Sequence, residues 1–185
     1  MKKSLIITGF LMVLATSSCK YKTENNIREE VMHYMGKKIE LPNIKQTLYQ
    51  DSLLQVYDKL KDNEKLKVVT LLWGDCHSCL ADKKKWNELY QHISNNKKVS
   101  LHYYLFTSDI DFFRENYYNS TIYDFHLLLD PENQYLIKNN LPLDNKLYQT
   151  FLLDSNNKII LVGNPIYSIE LMELYKEEIE KRLEE

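Results

Sequence analysis

The sequence predicts an α/β domain in which a mixed sheet is covered by helices on both faces. Three observations point to it. Short apolar, β-branched runs alternate with helical patterns from Lys67 to Asn139. A hairpin signal follows, "YQTFLLDSNNKIILVG". A last amphipathic segment, "SIELMELYKEEIEKRLEE", closes the chain. The order reads β–α–β–α–β–α–β–β–α, which implies a three-layer α/β/α sandwich with a mixed central sheet and an N-terminal extension.

Each element has its own signal. "NIREEVMHYM" places Ile27, Val31 and Met35 at helical spacing. "GKKIELP" reads as a turn and a short strand ended by Pro42. "YQDSLLQVYDKLKD" puts Leu53, Val56, Tyr57 and Leu60 on one helical face. Lys67 to Trp73 is a buried strand. The segment after it is a helix whose inward stripe is Cys79, Trp86, Leu89 and Ile93, with Cys76 at or just before its start. Val99 to Phe106 is a second strand. "DIDFFRENY" is a short helix capped by Ser108 or Asp109. "DFHLLLD" is a third strand, and "PENQYLIKNNLP" a short helix with Pro131 at its start. Phe151–Leu153 and Ile159–Val162 flank a polar turn as a hairpin. The terminal helix shows Ile169, Met172, Tyr175, Ile179 and Leu183 on one face.

Composition removes several functions. The chain has 185 residues, 44% hydrophobic and 27% charged, enough for one core. Its formal net charge of -2 gives no broad attraction to nucleic acid or an anionic membrane. There is no phosphate loop, no Ser/His/Asp pattern and no carboxylate pair. A peroxidase pattern would need Thr or Ser three residues before the reactive cysteine, where Trp73 stands.

The first residues account for one of three cysteines. Lys2 and Lys3 precede an apolar core from Leu5 to Ala15, a removed export signal too short for a membrane span. Thr16, Ser17 and Ser18 before Cys19 resemble a bacterial lipoprotein cleavage site. That resemblance implies a signal over residues 1–18 and a lipid on Cys19. An ordinary secretory signal with an incidental cysteine is the alternative. Residues 19–35 then form a tether and N-terminal helix, and residues 36–185 the domain. The anchored domain faces the periplasm, within the cell envelope.

Cys76 and Cys79 remain as a pair where thiols can oxidise. Three residues apart, they close too short a loop to act as a staple. After a strand and at a helix start, this spacing is a redox arrangement. On a helical turn such residues have Cβ atoms roughly 5–6 Å apart, close to disulfide range. The helix start favours a thiolate at Cys76, the attacking sulfur, with Cys79 as the resolving one. Asp75 raises the Cys76 pKa by repulsion; protonated His77 lowers it.

These residues resemble the thioredoxin-like superfamily, most nearly the lipid-anchored TlpA/ResA-type redoxins of Bacteroides-type bacteria. "GKKIELP", "LLWGDCHSC" and "TFLLDSNNKIILVGNP" carry the resemblance, from Gly36 onward. It implies a thioredoxin-like fold and thiol–disulfide exchange with envelope protein disulfides or thiols. A further, unidentified redox partner would carry the electrons, and no cofactor beyond the Cys76–Cys79 disulfide is needed. The family's proline before the hairpin strand aligns with Tyr148, its aromatic residue before the first cysteine with Asp75, and its buried acid with Thr70. Trp73, Tyr148 and Gln149 would line a substrate groove.

Two other readings stay open. A metal would need about four ligands. Cys76, Cys79 and His77 do not complete such a set, although His102 or His126 could approach by folding; no metal is expected. The same domain could instead be a binding module with a static disulfide. Trp86 reads as core, and Lys83, Lys84 and Lys85 as a solvated helix face. Of Tyr103, Tyr104, Tyr117, Tyr118 and Tyr148, only Tyr148 is expected near the dithiol.

Overall fold

A computed structural model describes residues 26–49, 52–55, 64–76, 82–94, 98–115 and 125–184. The chain divides into two compact units, Met1–Met35 and Gly36–Glu185. In the first, residues 26–34 form helix α1, extended by a bond from Met35 N–H to the Val31 carbonyl (3.1 Å). No helix among the described residues is long and apolar enough to cross a membrane.

The second unit is built on a seven-stranded mixed sheet in the order β2-β1-β5-β4-β3-β6-β7. Its strands are β1 (Gln46–Tyr49), β2 (Ser52–Gln55), β3 (Leu66–Trp73), β4 (Val99–Phe106), β5 (Leu127–Leu129), β6 (Phe151–Asp154) and β7 (Ile159–Val162). β3, β4 and β5 run parallel. β6 joins β3 antiparallel and pairs with β7 in the expected hairpin. β3 and β4 lie in register from Leu66↔Val99 to Trp73↔Phe106. Both are nearly continuous apolar runs because helices cover both faces.

Successive β4 residues point to opposite faces. Tyr103 packs on Trp86 (centroids 4.9 Å apart) from helix α2, Lys83–Ser94. Trp86, Leu89 and Ile93 are all buried, as their spacing predicts. Tyr175 and Ile179 of helix α5 (Ile169–Glu184) complete this core, while Ile169 is 81% exposed and stands off the stripe. On the opposite face Tyr104 stacks on Tyr135 (5.0 Å) of helix α4, Gln134–Asn139. Between β4 and β5 lies the short helix α3, Ile110–Phe113, capped as expected by Asp109, which accepts from Phe112 N–H.

Three local expectations are corrected. The helix read over "YQDSLLQVYDKLKD" is, where described, the end of β1 and all of β2. Leu53 and Leu54 pair with Leu48 and Thr47 of β1, which pair in turn with β5, so tertiary pairing overrides a helix-like spacing. Val56, Tyr57 and Leu60 lie outside the described residues. "GKKIELP" forms a single bridge, Lys38↔Lys158, instead of a strand. It runs beside β7 through bonds from Gly36 N–H to the Ile159 carbonyl and from Ile39 N–H to the Asn157 carbonyl. Pro131 sits in a turn ahead of α4. The helix opens at Gln134 because the buried Asp130 carboxylate accepts from the Gln134 and Tyr135 N–H groups at 2.9 and 2.8 Å.

Candidate functional site

The site begins where β3 runs out. Gly74 N–H donates to the Phe106 carbonyl (2.8 Å), and Cys76 N–H turns back to the Trp73 carbonyl (3.1 Å). Gly74 has no room for a side chain: an added Cβ would meet Thr107 Cβ at 2.9 Å. This tight closure delivers Cys76, half-buried, to the end of β3. Cys76 is disulfide-bonded. Its partner lies outside the described residues, as do Cys79, His77 and Cys19.

Asp75 is exposed, and its carboxylate turns toward the loop after β4. It accepts from Thr107 Oγ1 at 2.6 Å and from Ser108 N–H at 3.0 Å. Burial pushes its carboxyl up, but these hydrogen bonds outweigh that and hold it below the usual range. The residue stays anionic at neutral pH, with its oxygens engaged by Thr107 and Ser108.

Antiparallel pairing of β6 to β3 brings a second segment to the cysteine. The 3-10 turn Lys146–Gln149 precedes β6. Lys146 Nζ donates to Cys76 Sγ at 3.7 Å. Gln149 is buried; its amide donates to the Pro142 carbonyl at 2.7 Å and the Leu143 carbonyl at 3.2 Å. Its oxygen accepts from Trp73 Nε1 at 3.3 Å. Trp73 is half-buried against Phe106. With Lys146, Thr150 and Tyr167, Trp73 and Gln149 line a small cavity of about 20 Å³.

Of the three expected groove residues, Trp73 alone is half-buried. Tyr148 and Gln149 are buried, at 4% and 2% exposure, so they form wall and not open surface. The residue of this turn that bonds the Cys76 sulfur is Lys146, which sequence reading passed over. Thr70, at the position of the family's buried acid, is also buried and shares a 2.7 Å hydrogen bond with Thr150.

No group of three or more potential metal ligands occurs among the described residues. His126 stacks on Tyr49 and meets Thr47 Oγ1 through Nδ1, and burial pushes its pKa down. His102 meets Glu64 at 3.3 Å and Ser100 Oγ at 3.0 Å. Both contacts fall on Nε2, whereas a Ser/His/acid triad needs its hydroxyl and its carboxylate on opposite ring nitrogens.

The architecture has counterparts among solved structures. A reduced 2-Cys peroxiredoxin from Plasmodium vivax gives a TM-score of 0.56 at 14% identity, over 82% of this chain and 99% of its own. A candidate protein disulfide isomerase from Bacteroides thetaiotaomicron gives 0.56 at 19% identity, over 82% and 91%. The thioredoxin domain of a thiol-disulfide oxidoreductase from Bacteroides vulgatus gives 0.51 at 9% identity, over 75% and 97%. The chain has the thioredoxin-like fold. No family model and no curated sequence matches it, and at these identities the likeness speaks for the fold alone. Within a thioredoxin-like frame, Cys76 stands at the end of the inner strand β3, facing the segment that enters the hairpin.

Proposed function

We propose that this chain is an exported, lipid-anchored thiol–disulfide oxidoreductase that exchanges disulfides with envelope proteins through Cys76 and Cys79. One observation carries the reading: a disulfide-bonded, half-buried Cys76 at the C-terminal end of the inner strand β3. Cys79 is the proposed partner. Cys19, the remaining cysteine, is proposed to carry the lipid once the signal over residues 1–18 is removed.

In the reduced protein the Cys76 thiolate attacks one sulfur of a partner disulfide. A mixed disulfide forms, and the partner's other sulfur leaves as a thiolate. Cys79, as thiolate, then attacks the Cys76 sulfur. The Cys76–Cys79 disulfide forms and the partner leaves as a dithiol, two electrons richer. The reverse sequence oxidises a partner dithiol. A second envelope protein must restore the starting state.

A static-disulfide binding module is the competing reading. Tyr148, standing where the family carries a proline, favours it. Two measurements separate the readings. Equilibration with glutathione should give a defined reduction potential, and Cys76 alkylation should follow a thiolate pKa below that of a free thiol, about 8.5. A Cys79→Ser variant should trap mixed disulfides with envelope proteins. A pair that resists dithiol reductant, or a trap that stays empty, would replace the enzyme with the binding module.

A further inference from the structure

We infer that Lys146 is the positioning residue of the Cys76 thiolate: its ammonium stabilises the sulfur when the disulfide opens and makes the Cys76–Cys79 couple more oxidising. This rests on the exchange reading above. It adds a direction that the sequence left open.

The placement of Lys146 is built into the fold. Asn145 caps the 3-10 turn, accepting from Leu147 N–H at 3.2 Å. Gln149 clamps the Pro142 and Leu143 carbonyls and holds the Trp73 indole. The turn that carries Lys146 is therefore tied to the strand that leads to Cys76. Its Nζ lies 3.7 Å from Sγ while the sulfur is in a disulfide and only a weak acceptor. Reduction changes the partner. The disulfide takes up two electrons and one proton, giving a Cys76 thiolate and a Cys79 thiol. The same ammonium then faces a full negative charge, an interaction absent from the oxidised state.

An interaction present only in the reduced state favours reduction, so it raises the potential. Other charges bear on the sulfur. Asp75 is its neighbour and opposes Lys146, but its carboxylate is held by Thr107 and Ser108. Asp144 lies two residues before Lys146 and is exposed. His77 follows Cys76 in sequence. Among the described residues, Lys146 makes a direct contact with the sulfur.

The test compares the full chain with its Lys146→Met and Lys146→Arg variants. Cys76 alkylation by iodoacetamide, mapped to its peptide, is followed against pH. The equilibrium with glutathione is measured at about pH 6 and about pH 9, on either side of an ordinary thiol pKa. K146M should move the alkylation midpoint up by about one unit, and K146R should leave it in place. At the higher pH, K146M should make the couple about fivefold less oxidising, roughly 20 mV at 29.6 mV per decade. At the lower pH, where both proteins hold a protonated thiol, the difference should vanish. Equal midpoints and potentials in K146M and the parent would overturn the inference while exchange itself stands. A change in K146M that is the same at both pH values and also present in K146R would overturn it too, because packing and not charge would be the cause. A parent protein that does not equilibrate with glutathione removes the exchange reading and this inference together.

Discussion

Thr70 Oγ1 and Thr150 Oγ1 lie 2.7 Å apart, each residue only 1% exposed. The bond links β3, six residues before Cys76, to the residue just before β6. One hydroxyl donates and the other accepts, so the pair keeps a hydrogen bond out of reach of water. Removing one leaves the other buried and unpaired. Thr70→Val or Thr150→Val should each cost about 1–3 kcal/mol in urea unfolding. The double variant should cost no more than either single one, because both polar groups are then gone. Additive losses would show that the two hydroxyls do not depend on one another.

Asp75 gives a pH dependence with a definite sign. Its folded carboxyl sits below the ordinary value: burial raises it, and hydrogen bonds from Thr107 and Ser108 outweigh burial. A depressed carboxyl stabilises the fold above its unfolded pKa, about 3.9, and loses that contribution as pH falls through the folded value. The urea midpoint of the parent should therefore exceed that of Asp75→Asn at neutral pH, and the two should converge in acid. D75N should also shift Cys76 alkylation to lower pH, because a negative neighbour is gone. A midpoint gap that persists below the folded pKa would assign the effect to shape instead of charge.

Gly74 is a packing prediction. A methyl group there would sit 2.9 Å from Thr107 Cβ and 3.0 Å from both Leu105 Cδ1 and Phe113 Cδ2. Real carbon contacts are longer, so something must shift. Gly74→Ala should cost about 1–3 kcal/mol, by the usual penalty for overpacking. It should also slow exchange at Cys76, since the turn that presents the sulfur must move. Unchanged stability and rate would mean that the end of β3 yields more easily than its contacts imply.

The long central strands and the core helices were legible because their signals are local. Val68, Leu72, Trp86, Leu89 and Ile93 announce burial by spacing alone, and the polar turn at 154–157 announces the β6–β7 hairpin. The β1–β2 ladder was not legible. Leu48 is buried by pairing with Leu127, about eighty residues later, and four-residue strands carry too little pattern to oppose a helical reading. Lys146 was hidden for a similar reason. It lies 70 residues from Cys76, and only antiparallel docking of β6 on β3 brings it there. A lysine in a polar loop has no sequence signal that separates it from solvent-facing neighbours. The burial of Tyr148 and Gln149 follows from the same docking, which a one-dimensional reading cannot order.

Gln149 supplies the last test, because one side chain holds three parts of the site. Its amide donates to the Pro142 and Leu143 carbonyls and its oxygen accepts from Trp73 Nε1. Gln149→Leu keeps most of the volume and removes all three bonds, leaving buried or half-buried polar groups without a partner. The cost in urea unfolding should be about 2–3 kcal/mol, since several groups lose their partner at once. The effect should also be local. Hydrogen exchange across residues 142–147 should speed up, while the β6–β7 hairpin keeps its protection, because its ladder does not pass through this side chain. Fluorescence offers a second readout: Trp73 loses its acceptor, whereas Trp86, 2% exposed in the core, should not respond. If the 142–147 segment exchanges no faster in Q149L, the carbonyl clamp does not fix the turn. Lys146 would then owe its place beside Cys76 to some other contact.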